Sequence, residues 1–376
     1  MSFLIDLPTE VLDIIIQLLP LRDALSVCLV SQRLKVLSTP HIYKSFERSR
    51  GENHSKERLQ CFQNTIKERN LNQYVKSIHF YLEQYSHLTL ISLLSQTPKL
   101  EQLAISGARV LVDWLMELLE RQELSLPHLK TFRLSQSSGN VLGIINRFQQ
   151  LSELSLHNHF CCGFKIGLSA SSLPFERVTL DGCDFDTESV CNLIKSCKHL
   201  TSFRYFPSRP ELEFLPPDVK EISAALVLHK ASLEEIVVQN YSPSYPKRRM
   251  GWSRFEKTPT FGSFAGFSAL KRLGLDLDTI PAQISLPPSL HSISITNCCG
   301  AKQSPTMLRR IIEEFPVKCI QVDYVWTAEL VHSWRIPELH IFLSGSGRDE
   351  WDEWDAWDEL LDELEISLHR LPWTKA

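Results

Sequence analysis

A short apolar pattern, L-x-x-L-x-L in its fullest form, returns from Val75 to Ile341 and limits the chain to few architectures. It begins at Val75xxIle78xPhe80 and continues through Leu100xxLeu103xIle105, Leu129xxPhe132xLeu134, Leu151xxLeu154xLeu156, Phe175xxVal178xLeu180 and Leu200xxPhe203xTyr205. Leu233xxIle236xVal238, Leu270xxLeu273xLeu275, Leu290xxIle293xIle295, Val317xxIle320xVal322 and a weaker Ile336xxLeu339xIle341 follow. Successive first positions are 19 to 37 residues apart. The last two apolar residues of each unit alternate as in a strand with one buried face, while the first anchors the turn leading in. Each unit predicts one short strand.

Between these strands lie helical patterns: Leu88 to Leu94, Val110 to Leu119, Val141 to Phe148, Val190 to Ile194, Ile222 to Leu228 and Met307 to Phe315. Period and element order resemble those of leucine-rich repeats, in which strand, turn and helix stack into a parallel solenoid with strands on the concave face and helices outside. Cys183 and Cys298 fall where such repeats often carry Asn or Cys, and are expected to face the inside of the turn as small buried hydrophobes. The residues between the buried strand positions should form an outward row of His79, Ala104, Arg133, Ser155, Thr179, Arg204, Val237, Gly274, Ser294 and Gln321. Thr131, Arg177, Asp181, Phe206, Arg272, Asp276 and Asp323 would flank it. From these, Arg133, Arg177, Asp181, Arg204, Phe206, Arg272 and Asp276 are the candidate substrate contacts, a mixture suited to a protein or peptide ligand.

The first forty-odd residues follow a different pattern. Pro8 in a first turn with Glu10 behind it predicts a helix running to about Leu19, which Pro20 stops. Asp23 can cap a second short helix through Ala24 to Val30, and Ser31 a third through Leu37, before Thr39-Pro40 breaks the pattern. Val11, Leu12, Ile14, Ile15, Ile16, Leu18 and Leu19 spread around more than one helical face. That is more apolar surface than so small a unit covers internally, so it must meet either the following domain or a groove of another protein.

The opening Leu7-Pro8-Thr9-Glu10-Val11-Leu12, the Leu18-Leu19-Pro20 that closes the first helix and the later Leu29-Val30-Ser31-Gln32-Arg33-Leu34 together resemble the F-box. Members of that family dock on the Skp-type adaptor of cullin-based ubiquitin ligases. The resemblance implies adaptor contacts from Leu7, Pro8, Glu10, Val11, Leu12, Ile15, Leu18 and Leu19 on the first helix, and from Leu25, Leu29, Val30 and Arg33 beyond it. Leu34 stands where family members often carry an aromatic, which keeps the site apolar. The whole layout resembles the fungal-type F-box proteins with C-terminal leucine-rich repeats.

Composition narrows the function classes. Hydrophobic residues at 43% and charged ones at 22% argue for a folded chain. The net charge of −4 is polarised: Asp349 to Glu365 holds ten acidic residues and no basic one, which leaves 40 Lys and Arg against 34 acidic residues elsewhere, or +6. So dilute a balance disfavours nucleic acid as a partner. In the acidic segment Trp351, Trp354, Trp357, Leu361, Leu364 and Leu368 recur at helical spacing, which predicts either a helix capping the last repeat or an acidic amphipathic partner helix. The longest interruption of the series carries Tyr245, Pro246, Lys247, Arg248, Arg249, Trp252, Arg254 and Phe255, and predicts a projecting basic, aromatic loop. The start lacks a basic n-region, and no apolar run approaches a membrane span, so neither leader nor membrane is expected. Ten cysteines without a CxxC pair predict reduced thiols in the cytoplasm or nucleus.

Signals for enzyme chemistry are missing. No GxxxxGK[ST], GxGxxG or HExxH occurs, and Gly262-Ser263-Phe264-Ala265-Gly266 has phenylalanine where a nucleophile elbow needs serine. His157-Asn158-His159 with Cys161 and Cys162 lacks a matching second half, so neither metal nor other cofactor is expected. The expected organisation is α/β: an F-box at 1–47, a helical linker at 48–73, a leucine-rich-repeat solenoid at 74–345 with a basic insertion at 241–265, and an acidic Trp-rich cap at 346–376. The expected role is non-catalytic. The chain would be the substrate-recognition subunit of an SCF-type ubiquitin ligase, bound to a Skp-type adaptor and through it a cullin, or alternatively an adaptor-bound scaffold that does not promote ubiquitin transfer.

Overall fold

Prolines set the first two helices, α1 (Thr9–Leu18) and α2 (Leu21–Val27). Pro8 precedes α1 instead of sitting in its first turn, and its carbonyl accepts from Val11 N and Leu12 N, both at 3.1 Å. Pro20 repeats the device, accepting from Asp23 N and Ala24 N at 3.0 Å, so α2 starts three residues before the expected Ala24. Asp23 therefore lies in the first turn, where its carboxylate faces the positive end of the dipole. In α3 (Gln32–Ile42) Ser31 caps as expected, its Oγ accepting from Leu34 N at 3.2 Å. The helix runs through Pro40 instead of stopping before it. Proline forfeits one hydrogen bond there, while Tyr43 N still donates to Thr39 O at 3.2 Å.

The structure, a computed structural model, describes residues 6–48, 55–82, 87–107, 117–118, 125–135, 148–158, 170–207, 218–239, 260–276, 279–281, 283–296, 319–323, 340–344 and 367–368. Its two units are Met1–His157 and Asn158–Ala376.

In the first unit α3 passes almost directly into β1 (Ser45–Arg48), a strand the apolar pattern did not announce. Helix α4 (Ser55–Glu68), β2 (Ser77–Leu82), α5 (His87–Gln96), β3 (Gln102–Gly107), β4 (Thr131–Ser135) and β5 (Glu153–His157) follow. The five strands pair in chain order, all parallel. The register aligns the apolar pattern: Phe46 with Ile78, Ile78 with Leu103, Leu103 with Phe132, Phe132 with Leu154. All are buried, and so are the lead-in residues Val75, Leu100, Leu129 and Leu151. Ring packing of Phe62 on both Tyr43 and Phe46, with centroids 6.2 and 4.7 Å away, ties α4 to the end of α3 and to β1.

One backbone device repeats at each strand entrance. A single carbonyl accepts two successive amides of the next strand: Lys44 from Lys76 and Ser77, Lys76 from Glu101 and Gln102, Glu101 from Lys130 and Thr131, Lys130 from Ser152 and Glu153. The shared carbonyl sets the same parallel stagger at each entrance.

The second unit repeats the scheme with β6 (Arg177–Cys183), α6 (Thr187–Ser196), β7 (Ser202–Pro207), α7 (Val219–Leu226), β8 (Glu235–Val238), β9 (Arg272–Asp276), β10 (Ser292–Thr296), β11 (Cys319–Asp323), β12 (His340–Ser344) and β13 (Ser367–Leu368). These strands also pair parallel in chain order. Glu176, Thr201, Glu234 and Lys271 supply the shared carbonyls. Asp186 and Asp218 cap α6 and α7. Leu368, expected on a helical face with the tryptophans of the acidic segment, lies in β13 opposite Ile341. Trp351, Trp354, Trp357, Leu361 and Leu364 lie outside the described residues, as do the candidate helices at 141–147 and 307–315 and all but two residues of that at 110–119.

Two further expectations fall only partly within the described residues. The basic residues at 245–255 lie outside the described residues, but the end of that insertion packs inward: Phe261 and Phe264 are buried with rings 5.7 Å apart. Ser223 Oγ accepts from Gly262 N at 3.1 Å, joining the segment to α7. Cys183 is fully buried, whereas Cys298 lies outside the described residues.

Candidate functional site

Helix α1 is apolar on two faces with different fates. Leu12 and Ile16, one turn apart, are buried with Leu34 of α3, and Leu7, Val27 and Leu37 pack around them. Val11, Ile14 and Leu18 form a second stripe at spacings of three and four that is 41%, 58% and 79% exposed. Leu21, Leu25, Leu29, Val30 and Val36 extend it across α2 and the start of α3, Leu29 being 89% exposed. Isolated exposed leucines are ordinary, but eight large apolar side chains exposed within 26 residues are more than scattered exposure accounts for.

Of the residues the resemblance assigned to adaptor contact, Pro8, Glu10, Val11, Leu18, Leu25, Leu29 and Val30 are exposed, and Leu7, Ile15 and Leu19 are half-buried. Leu12 is a correction: with no exposed area it belongs to the inner stripe and holds the three helices together. Arg33 has a role the sequence did not show, its Nη2 donating to Leu7 O at 2.9 Å and Thr9 Oγ1 at 3.1 Å. Asp13 and His41 join the same helices at 2.8 Å. Ile14, Leu21 and Val36 are exposed but were not among the adaptor contacts; Ile14 was legible, since it lies three residues from Val11 and four from Leu18.

A second surface lies on the face of the sheets opposite the buried rows. The register places His79 beside Ala104, Ala104 beside Arg133 and Arg133 beside Ser155 in the first unit. In the second it aligns Thr179, Arg204, Val237, Gly274, Ser294 and Gln321. The first-unit row borders a hollow of about 390 Å³ lined by Glu47, His79, Ala104, Arg133 and His157 among others. Its charges are mixed: His79 Nδ1 lies 3.5 Å from Glu47, and Arg133 Nη2 donates to Glu153 Oε1 at 2.9 Å. Ser155 Oγ and His157 Nε2, 2.8 Å apart, are neighbours on one face of β5, as any i, i+2 pair on a strand is.

Among the candidate substrate contacts, Arg133, Arg177 and Arg272 are exposed and Arg204 is half-buried. Asp181, Phe206 and Asp276 are corrections, being 5%, 7% and 0% exposed. Strand alternation alone would turn Asp181 outward, but the pairing of β6 with β7 slips between Asp181 and Cys183, where Gly182 takes φ +63°. Asn158 covers this bend: its backbone N donates to Asp181 O at 2.7 Å, and its Oδ1 sits 2.5 Å from where a Gly182 Cβ would be. Phe206 is the register partner of Asp181 and is buried with it.

Of the candidate metal-ligating residues only His157 and Asn158 are described, and among the described residues no three His, Cys, Asp or Glu gather around a metal position. No helix among them is long and apolar enough to cross a membrane.

Residues 4–44 match the F-box domain, a span that contains all three N-terminal helices and ends one residue before β1. No curated protein matches the chain as a relative.

Proposed function

We propose that this chain is the substrate-recognition subunit of an SCF-type ubiquitin ligase. In this reading the F-box domain docks on a Skp-type adaptor, which connects it to a cullin, and the parallel-strand array is a leucine-rich-repeat solenoid that holds a protein substrate. The observation that carries the reading is the stripe of Val11, Ile14, Leu18, Leu25, Leu29 and Val30, whose side chains are 41 to 89% exposed. A patch of this kind on a unit too small to be comfortably stable alone is a surface awaiting a groove.

The mechanism is proximity. Holding a substrate beside a charged ubiquitin-conjugating enzyme raises its effective concentration, and no catalytic side chain is needed here. Because α3 leads into β1 with two residues between them, the docking helices and the first strands share one continuous backbone frame. Movement of the substrate relative to the adaptor would be limited accordingly. The proposed boundaries are 1–47 for the F-box, 48–73 for the linker, 74–345 for the repeats and 346–376 for the cap, and the proposed compartment is cytoplasmic or nuclear.

The test is co-purification with a Skp-type adaptor. Leu18→Glu and Leu29→Glu, at positions 79% and 89% exposed, put charge on the stripe without touching the core. Adaptor capture should fall by more than tenfold with unfolding unchanged. Retained capture would overturn the assignment. The scaffold alternative shares the adaptor interface and is favoured instead if adaptor and cullin co-purify but no protein accumulates when the chain is removed from cells.

A further inference from the structure

The second unit carries an arrangement of charge that the docking function does not use. Glu235 in β8 has Ser202 of β7 and Arg272 of β9 as its register partners. Its carboxylate is almost fully buried, with the side chain 6% exposed, and both oxygens are occupied. Oε2 accepts from Ser202 Oγ at 2.6 Å and Arg204 Nε at 2.9 Å; Oε1 accepts from Arg204 Nη2 at 2.7 Å, with Arg272 Nε 3.3 Å away.

The acid is used up and the arginines are not. Arg204 spends Nε and one Nη2 hydrogen on Glu235, leaving three of its five donors, and Arg272 engages the same carboxylate through Nε alone, leaving four. Their side chains are 42% and 61% exposed. Arg177, exposed on β6 as the register partner of Ser202, brings a third guanidinium to the same row. The neighbouring Glu234 and Lys271 are paired with each other at 3.0 Å and add no net charge. Beside Arg272, Gly274 has no side chain and its place is taken by its neighbours: Cγ1 of Val237 and Nε2 of Gln239 stand 2.9 and 3.3 Å from where its Cβ would lie, and Gln239 goes on to donate to Ser294 O at 3.3 Å.

Burial works to raise the carboxyl of Glu235, but the bonds from Arg204 and Ser202 prevail and hold it below its ordinary range. It therefore stays charged at neutral pH and keeps both guanidiniums in place before any ligand arrives. Pre-set guanidinium forks suit carboxylates, and fixing them in advance lowers the entropy cost of binding. Two arginines on one carboxylate, with Arg177 on a neighbouring strand, are too few for a nucleic-acid footprint on a chain of net charge −4.

We propose that Arg204 and Arg272, held on Glu235, receive an acidic segment of the substrate protein, whose carboxylates meet the unused N–H groups. The inference rests on the receptor reading and gives the substrate's chemical character.

The experiment uses the full chain bound to its adaptor and a fluorescein-labelled peptide of six Glu-Gly repeats, with six Lys-Gly repeats as the control, read by anisotropy. The Glu peptide should bind, weaken at least tenfold between 50 and 300 mM salt, and weaken at least tenfold in Arg272→Gln; Arg272→Lys should recover part of the loss. Arg272 is the position to change because its removal leaves the two-point Arg204–Glu235 bond intact, and thermal unfolding verifies that. Equal affinity in Arg272→Gln, or equal binding of the Lys peptide, overturns the proposal. So does binding that emerges only when the chain's own acidic segment is neutralised by Asp352→Asn, Glu353→Gln, Asp355→Asn, Asp358→Asn and Glu359→Gln, because that segment would then be the occupant. Adaptor capture is unaffected by Arg272→Gln in every case, which separates failure here from failure of the receptor reading.

Discussion

Arg33 reaches across 26 residues to donate to the carbonyl oxygen of Leu7 at 2.9 Å, and the same Nη2 reaches Thr9 Oγ1 at 3.1 Å. The arginine of the Leu-Val-Ser-x-Arg-Leu stretch thereby fixes the entry to α1, whose outer face carries Val11, Ile14 and Leu18. A residue that the sequence suggests as an adaptor contact is, in the folded chain, also a brace for the helix presenting the other contacts.

Arg33→Ala should therefore loosen α1 even without adaptor. Losing these exposed hydrogen bonds costs about 1 kcal/mol, so amides of residues 9–18 that exchange by local opening should exchange roughly fivefold faster. Arg33→Lys should recover only part of the protection, since an ammonium lacks the planar fork. Unchanged exchange in Arg33→Ala would show that the brace carries no energy.

Leu12 and Leu29 separate the two roles of leucine in this module. Leu12→Ala removes a fully buried side chain from the core with Ile16 and Leu34, and should cost about 2–4 kcal/mol. Leu29→Ala, at a position 89% exposed, should stay within about 0.5 kcal/mol while still weakening adaptor capture. Chemical denaturation alongside the pull-down checks both; equal destabilisation by the two changes would contradict the inner and outer stripes.

The strands from β2 to β11 were legible because each carries the apolar residues of its repeat at a period of two, and burial of one face is what that period encodes; in β12 the weaker Ile336xxLeu339xIle341 placed the pattern two residues early, since Ile341 and Leu343 are the partners of Ile320 and Val322. β1 was not legible, because Ser45-Phe46-Glu47-Arg48 supplies a single buried side chain and its pairing with β2 is fixed by the Lys44 carbonyl. Asp181, Phe206 and Asp276 were misread as exposed. For Asp181 and its register partner Phe206 the sequence shows alternation, but not the bend at Gly182 or the cover that Asn158 gives it; Asp276 is buried at the end of β9, where Thr279 Oγ1 donates to its carbonyl at 2.8 Å. The Arg204–Glu235–Arg272 cluster was half-visible: both arginines stand on outward positions, but their convergence on one glutamate needed the register of β7, β8 and β9.

Ser38 Oγ is buried in α3 without a hydrogen-bond partner. Replacing such a hydroxyl by hydrogen removes an uncompensated desolvation cost, so Ser38→Ala should be neutral or stabilising by up to about 1 kcal/mol. A loss above 1 kcal/mol in chemical denaturation would show that the hydroxyl has a partner in solution.

Glu101 bridges Lys76 and Lys130 at 2.8 and 2.9 Å across three successive strand entrances. The hydrogen bond from Lys76 and then that from Lys130 hold its carboxyl down at about 2, from an ordinary value of 4.5. A lowered carboxyl contributes stability that is fully present above 4.5 and is lost as pH falls toward 2. Its side chain is 28% exposed and solvent screens the pair, so Glu101→Gln should cost only up to about 1 kcal/mol at pH 7. The gap between variant and parent should close as pH falls through that window; a gap that persists at pH 2 would mean the bridge works through packing instead of charge.

Burial pushes the thiol of Cys197 up to about 12 and that of Cys191 up to about 11, where Lys195 pulls the latter down and Glu221 and Asp218 add to the rise. Alkylation needs the thiolate, and at pH 8 a thiol titrating at 11 is ionised in about one molecule in a thousand. Cys61, by contrast, is exposed on α4. Brief iodoacetamide treatment of the native chain followed by peptide mass mapping should label Cys61 and leave Cys191 and Cys197 unmodified until denaturant is added. Raising the pH to 9 should still leave the buried pair unlabelled, because access as well as ionisation protects them. Labelling of Cys197 at the rate of Cys61 would mean that the α6 packing against its neighbouring strands opens readily, and that this part of the array is a mobile surface and not a rigid frame for a substrate.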